Sequence, residues 1–315
     1  VRKVRLIRSG EFSDRFTYHV ELVGDQNNPD QFVVLKGVPS TQQMIQRLEM
    51  RYPNMDAADI ERRARSFTHD IFPLFLTREA GMLKVLRKHL PEEFRLRVPE
   101  TVNVQKNDRG YVTRFTMTWM RNGHTAEGRR LSHMEFASQL SRMLMVLHEE
   151  AQIIHLDLRP DNLVITPDGV GFIDFGSAIR VDEDISRSKT LMKMFDQVMT
   201  TSGVQKMLCQ MCDNGEVTNR VICDGYRKID KVVDLFFMVL QMNNPHANPD
   251  LKNLVEYDPE SVEARAIQQL TDRVLKPKDP KRPEFHTAAD VYKALGEITS
   301  RHSDSVWKTS VGVAN

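Results

Sequence analysis

Cysteine is scarce: the chain holds three in 315 residues, Cys209, Cys212 and Cys223, all within one short stretch. Three clustered thiols cannot build a disulfide framework, so a small secreted, staple-dependent fold is excluded and a reducing, cytoplasmic setting is expected. An excess of one charge is lacking too, since 44 Lys and Arg face 43 Asp and Glu for a formal net charge of +1. A near-neutral chain is a poor match for a polyanion, so nucleic acid is not an expected partner. No apolar run approaches the roughly 18–20 residues that span a bilayer, so no membrane partner is expected either. Val1-Arg2-Lys3-Val4-Arg5 is followed by no apolar segment and no small-residue cleavage site, which does not read as a signal peptide. The first residue is not Met, as expected of a processed form or a piece of a longer protein. Internal repeats and low-complexity tracts are absent as well. The remaining composition, 40% apolar and 28% charged, describes a globular protein of one large domain or two modest ones.

The pattern along the chain changes once. Val4–Ile7, Phe16–Leu22 and Phe32–Leu35 are short β-branched or aromatic runs, and the turn formers from Gly24 to Asp30 predict an antiparallel meander. From about Ser40 to Leu90 the period is helical, in two pieces split at Tyr52-Pro53-Asn54, with Asp56 or Asp59 placed to cap the second. Strands return at Thr101–Val104 and Tyr111–Met117, joined by the hairpin turn Asn107-Asp108-Arg109-Gly110. After Arg121-Asn122-Gly123 the chain turns mostly helical. Phe136, Leu140, Met143, Leu144 and Leu147 recur on one helix face, and Val232 to Met242 reads as a buried helix. A small, mostly β lobe with one main helix and a larger, mostly α lobe follow from this, with the hinge near residues 117–123.

The chemistry concentrates in His155-Leu156-Asp157-Leu158-Arg159-Pro160-Asp161-Asn162, with Asp174-Phe175-Gly176 twelve residues beyond Asn162. Phosphoryl transfer needs a carboxylate near the attacking hydroxyl and oxygen ligands for the Mg²⁺ ions that neutralise phosphate charge. Asp157 suits the first role, and Asn162 and Asp174 suit the second, because Mg²⁺ prefers hard oxygen ligands. Arg159 would set a cation beside the migrating phosphate.

H-x-D-L-R-P-D-N followed by D-F-G resembles the catalytic and metal-binding loops of eukaryotic-type protein kinases. The flanks are similar to that family as well. Met143–His148 resembles the helix before the catalytic loop, and Thr166-Pro167-Asp168-Gly169 the turn after it. Val33-Val34-Leu35-Lys36 resembles the strand that carries the nucleotide lysine, and Thr77–Leu86 the helix with its glutamate partner, Glu79. Asp279-Pro280-Lys281-Arg282-Pro283 matches D-P-x-x-R-P, and Asp234 fits the buried aspartate of the large lobe. The resemblance runs from about residue 4 to 297. It implies an α+β, bilobal protein-kinase-like fold, with an N-lobe over residues 1–120, a C-lobe over 121–300 and a mobile tail over 301–315. Forty-three residues separate Lys36 from Glu79, so an insertion at about 40–75 is implied, a possible surface for a regulatory partner. Glu61 is the alternative partner for Lys36.

The resemblance further implies an ATP-dependent, Mg²⁺-assisted transfer to Ser or Thr hydroxyls of a protein substrate. In it Lys36, held by Glu79, and Gly10 would bind nucleotide, Asn162 and Asp174 the metal, and Asp157 and Arg159 would act on the acceptor and the phosphate. Arg159-Pro160 resembles the Lys-Pro of Ser/Thr-directed kinases. Two departures stand out. Arg8-Ser9-Gly10-Glu11-Phe12-Ser13 keeps only the middle glycine of G-x-G-x-x-G, which would change how backbone N–H groups approach phosphate. Leu156 replaces the Arg that in many regulated kinases binds a phosphate on the activation loop, so independence from such phosphorylation is expected. Two other functions are weighed: a small-molecule kinase of the aminoglycoside or choline type, and a pseudokinase scaffold, which the broken glycine loop favours. Cys209-x-x-Cys212 with Cys223 would hold zinc only if a fourth ligand completed the tetrahedron, and Met207, Leu208 and Met211 make it read as ordinary core.

Overall fold

The computed structural model describes residues 3–5, 19–25, 28–120, 122–187, 192, 222–223, 228–278 and 283–311. Gly10 and its neighbours, Cys209, Cys212, and Asp279 to Arg282 lie outside them.

The small lobe is a five-stranded antiparallel sheet in the order β1-β2-β3-β5-β4. Its strands are β1 (Lys3–Arg5), β2 (His19–Asp25), β3 (Asn28–Gly37), β4 (Thr101–Lys106) and β5 (Val112–Thr118). β2 and β3 run further into the Gly24–Asp30 stretch than its turn formers suggest, with Asp25 opposite Asn28. β4 and β5 meet at the expected turn, where the Asn107 side chain accepts from Arg109 N and Tyr111 N and Gly110 supplies a φ of +79°. Lys36 lies at the centre of the sheet, opposite Val20 on β2 and Phe115 on β5.

The inserted residues fold as a helical hairpin. α1 (Thr41–Arg51) starts at a capping box made by Ser40 and Gln43, and α2 (Ala57–Ser66) starts at Asp56, whose carboxylate accepts from Ala58 N and Asp59 N. Between them Met44, Leu48, Ile60 and Ala64 pack with Phe72 into a core of their own. A π-turn (Phe67–Ile71) carries α2 straight into α3 (Phe72–His89), which lies along β5. The short α4 (Glu92–Arg95) follows.

The chain leaves the sheet at Thr118, and by Asn122 it is tied to the large lobe, for Asn122 Oδ1 accepts from Ile165 N. α5 (His133–Glu149) opens on the Ser132/Glu135 capping box and buries Phe136, Leu140, Met143, Leu144 and Leu147 completely, as their spacing predicts. β6 (Ile153–Ile154) pairs with β9 (Ile179–Arg180), and β7 (Leu163–Thr166) with β8 (Gly169–Phe172). Gly171 lets the backbone before β4 lie on β8: a Cβ there would sit 2.2 Å from the Arg97 carbonyl, which instead accepts from Phe172 N at 3.0 Å. β10 (Ile222–Cys223) and β11 (Lys228–Ile229) pair as a short ribbon. α6 (Val232–Asn243) is buried on nearly every side, α7 (Val262–Leu275) packs on it, and α8 (Ala288–Val311) packs along α5. The backbone of α8 runs helically into the stretch beyond Arg301 read as a tail. One hydrophobic cluster runs from Val34 and Leu76 in the small lobe to Val291 in the large one. The fold is therefore α+β, with a small β-sheet lobe and a larger helical lobe, as expected. No helix among the described residues is long and apolar enough to cross a membrane.

Candidate functional site

Strand alternation turns Lys36 to the face on which α3 packs, and helix geometry brings Glu79 from α3 to meet it. Lys36 Nζ lies 2.7 Å from Glu79 Oε2 and 2.8 Å from Asp174 Oδ1. Glu61, the alternative partner, instead pairs with Arg65 on the exposed face of α2. The Lys36 and Glu79 side chains are 5% and 1% exposed, whereas Asp174 keeps 40% of its side-chain surface open. Burial alone would lower the Lys36 pKa, but Asp174 and Glu79 outweigh it and hold the ammonium above the ordinary lysine range. Burial pushes the Glu79 carboxyl up to about 7 against the pull of Lys36. Burial acts the same way on Asp174, but there Lys36, with Arg159 and His155 behind it, wins and holds the carboxyl below its usual value.

The second group sits on the loop between β6 and β7. Asn162 Nδ2 donates to the Asp157 carbonyl at 2.8 Å and to Asp157 Oδ2 at 3.0 Å, and Arg159 Nε lies 3.6 Å from the same Oδ2. His155 joins the two groups. Its Nδ1 accepts from Asp157 N, its Nε2 meets the carbonyl of Ile173 beside Asp174, and Ile173 N donates to the Asn162 carbonyl. Nδ1 as acceptor and Nε2 as donor call for a neutral ring, and burial lowers the His155 pKa in the direction that favours it. The ring also packs 4.6 Å from that of Phe175.

Beneath the loop, Asp234 of α6 accepts from His155 N at 2.6 Å, Leu156 N at 2.8 Å and His148 Nε2 at 3.0 Å. These bonds hold Leu156 at a φ of +63°, a conformation a leucine adopts only under constraint. Its side chain is buried in the core, so it packs where a cation would have to reach outward. Asp174 is also left-handed, at a φ of +63°, which turns its carboxylate back to Lys36.

The structure thus joins Lys36, Glu79 and Asp174 in one contact network and Asp157, Arg159 and Asn162 in another, one hydrogen-bonded ring apart. Gly10 lies outside the described residues. The sequence assigns no role to His155, though the signal was there: it opens the motif. The donor set fits Mg²⁺. Both Asn162 contacts use its amide nitrogen and the Lys36 contact uses Asp174 Oδ1, leaving Asn162 Oδ1 and Asp174 Oδ2 as hard oxygens. Among the described residues no three His, Cys, Asp or Glu cluster as metal ligands. An ion held by one carboxylate, one amide and substrate phosphates needs no such cluster.

None of the curated proteins matches this chain. Residues 107–179, the stretch from the β4–β5 turn to β9 that contains Asp157, Arg159, Asn162 and Asp174, match the family model described as phosphotransferase enzyme family (APH), and over that stretch the chain is similar to phosphate-transferring enzymes.

Proposed function

We propose that this protein transfers the γ-phosphate of Mg-ATP to a hydroxyl group, and that the hydroxyl is a Ser or Thr of a protein. The observation that carries the transfer is Lys36, buried between Glu79 and Asp174 and one ring away from the Asp157–Asn162 pair. In this reading Lys36 steadies the nucleotide phosphates and Glu79 keeps its ammonium in place. Asn162 and Asp174 hold Mg²⁺, which neutralises phosphate charge when bound. Asp157, fixed through Oδ2 by Asn162, orients the acceptor hydroxyl. The acceptor oxygen forms a bond to the γ-phosphorus as the bridging P–O bond breaks, ADP leaves with that electron pair, and the hydroxyl proton passes late to Asp157. Arg159 stabilises the charge on the migrating phosphoryl group.

The resemblance of Arg159-Pro160 to the Lys-Pro of Ser/Thr-directed kinases, and of the Asp279–Pro283 motif to D-P-x-x-R-P of protein kinases, supports a protein acceptor. The match of residues 107–179 to the phosphotransferase family favours a second reading, a small-molecule alcohol as acceptor. Labelled γ-phosphate from Mg-ATP separates these. Label on the protein itself or on a generic acceptor protein, lost by about 10²–10⁴-fold in a folded Asp157→Asn variant, supports the protein acceptor. Label found only on aminoglycosides or amino alcohols supports the second reading. Nucleotide binding with no transfer to either would return the chain to the scaffold class, and no nucleotide binding would refute the proposal.

A further inference from the structure

Glu79 has a neighbour that the phosphate chemistry does not use. Arg78, one position earlier on α3, is turned about 100° away from Glu79 and faces the segment that follows Asp174-Phe175-Gly176. Its guanidinium meets Glu183 as a fork, Nη1 to Oε1 at 2.9 Å and Nη2 to Oε2 at 3.0 Å, and Nη2 also donates to the Ala178 carbonyl at 3.2 Å. The two side chains are only 13% and 22% exposed, where such a pair is screened far less than a surface one. Glu183 is itself held. Its Oε2 accepts from Arg180 N and its own N–H donates to the Arg180 carbonyl, closing a turn onto β9, which pairs with β6 just before His155.

We propose that the Arg78–Glu183 pair is a positioning latch that holds α3 against the segment after Gly176, so that Glu79 reaches Lys36 without a phosphate group on that segment. The inference rests on the phosphotransfer reading, and it explains what Leu156 leaves open. A buried leucine cannot bind a loop phosphate, and the carboxylate of Glu183 already supplies an anion to the helix that carries Glu79. Arg78 and Glu183 are positioning residues in this scheme, acting on nucleotide only through Glu79.

Two readouts on the full chain test the latch: hydrogen exchange of the α3 backbone amides, and Mg-ATP affinity by calorimetry. Glu183→Gln is expected to speed exchange along α3 and weaken Mg-ATP by about tenfold, the scale of one lost charge-assisted contact. Glu79→Gln weakens Mg-ATP as well. The double variant is expected to bind no more weakly than Glu79→Gln alone, because the latch works through that carboxylate. Phosphatase treatment of the wild type should leave affinity unchanged. Wild-type exchange and affinity in Glu183→Gln, losses that multiply in the double variant, or a drop after phosphatase would each overturn the latch. Should Glu183→Gln not fold, Arg78→Lys, which keeps the charge but loses the fork, makes the same comparison. A wild type that binds no nucleotide would refute the phosphotransfer reading instead, and the exchange comparison would still decide whether Arg78 and Glu183 hold α3.

Discussion

Removing the Lys36 ammonium would strand Glu79, which is fully buried and pairs with no other cation among the described residues. Breaking one side of such a pair costs on the order of 3–5 kcal/mol. Lys36→Met should therefore lower the unfolding free energy by about that amount, and the double variant Lys36→Met/Glu79→Leu should recover most of it while remaining unable to bind Mg-ATP. Chemical denaturation beside calorimetry checks both halves. The same pair sets a pH dependence. With its pKa raised from 4.5 to about 7, folded Glu79 keeps a proton that the unfolded chain has lost. Its contribution to stability is full below about pH 4.5 and declines as pH rises through about 7. Asp174 runs the other way: its depressed pKa gives a contribution present above the ordinary 3.8 and lost as pH falls below it. The ionised form of Glu79 is the one that grips Lys36, so Mg-ATP affinity should rise through pH 7 in the wild type. A flat profile in Glu79→Gln over the same range would assign the rise to this residue.

At the scale of elements, α6 supports the loop that carries Asp157 from below. Asp234→Ala would leave the buried N–H groups of His155 and Leu156 without an acceptor, at about 1–3 kcal/mol each. The variant should lose several degrees of Tm and, if folded, lose transfer through a displaced Asp157. The α1–α2 hairpin has a core of its own, shared with α3 only through Phe72. Leu48→Ala should cost about 2–5 kcal/mol locally, seen as faster hydrogen exchange in α1 and α2 with α5 and α6 unaffected. Much at this scale was legible. The helical period sets in at Ser40, Asp56 caps the second helical piece, and the apolar repeat from Phe136 to Leu147 names its buried face. The choice between Glu61 and Glu79 was harder. Eighteen residues make five whole turns of an ideal helix, so period alone puts both on one side, and only their separation of about 27 Å along the axis distinguishes them. The pairing of Arg78 with Glu183 was not legible at all, because a contact across 105 residues leaves no local pattern. The task of His155 is not legible either, since its two bonds exist only once the Asp157 and Asp174 segments lie side by side.

For the whole molecule, the site draws on both lobes: Lys36 and Glu79 come from one, and Asp157, Asn162 and Asp174 from the other. A ligand that bridges them should stabilise the folded state by about 2.7 kcal/mol at one hundred times its Kd. Mg-ATP should therefore raise Tm, chelation of the metal with EDTA should remove most of that rise, and Asp174→Asn should behave in Mg²⁺ as the wild type does in EDTA. Thermal scans with and without nucleotide read all three.

The seam between Arg97 and Phe172 has a mechanical consequence. Backbone grips backbone there, with no room even for a methyl group on Gly171, so the chain just beyond the His89 end of α3 is pinned to the large lobe. From that fulcrum the helix runs unbroken through the π-turn to Ala57, about 50 Å at 1.5 Å per residue. A tilt of about 10° would carry Glu79 roughly 3 Å, enough to part it from Lys36, while sweeping the hairpin end through about 8 Å. The inserted hairpin is thus the long arm of a lever whose short arm carries the carboxylate beside Lys36. A modest force on α1 and α2 would act with threefold mechanical advantage on that ion pair.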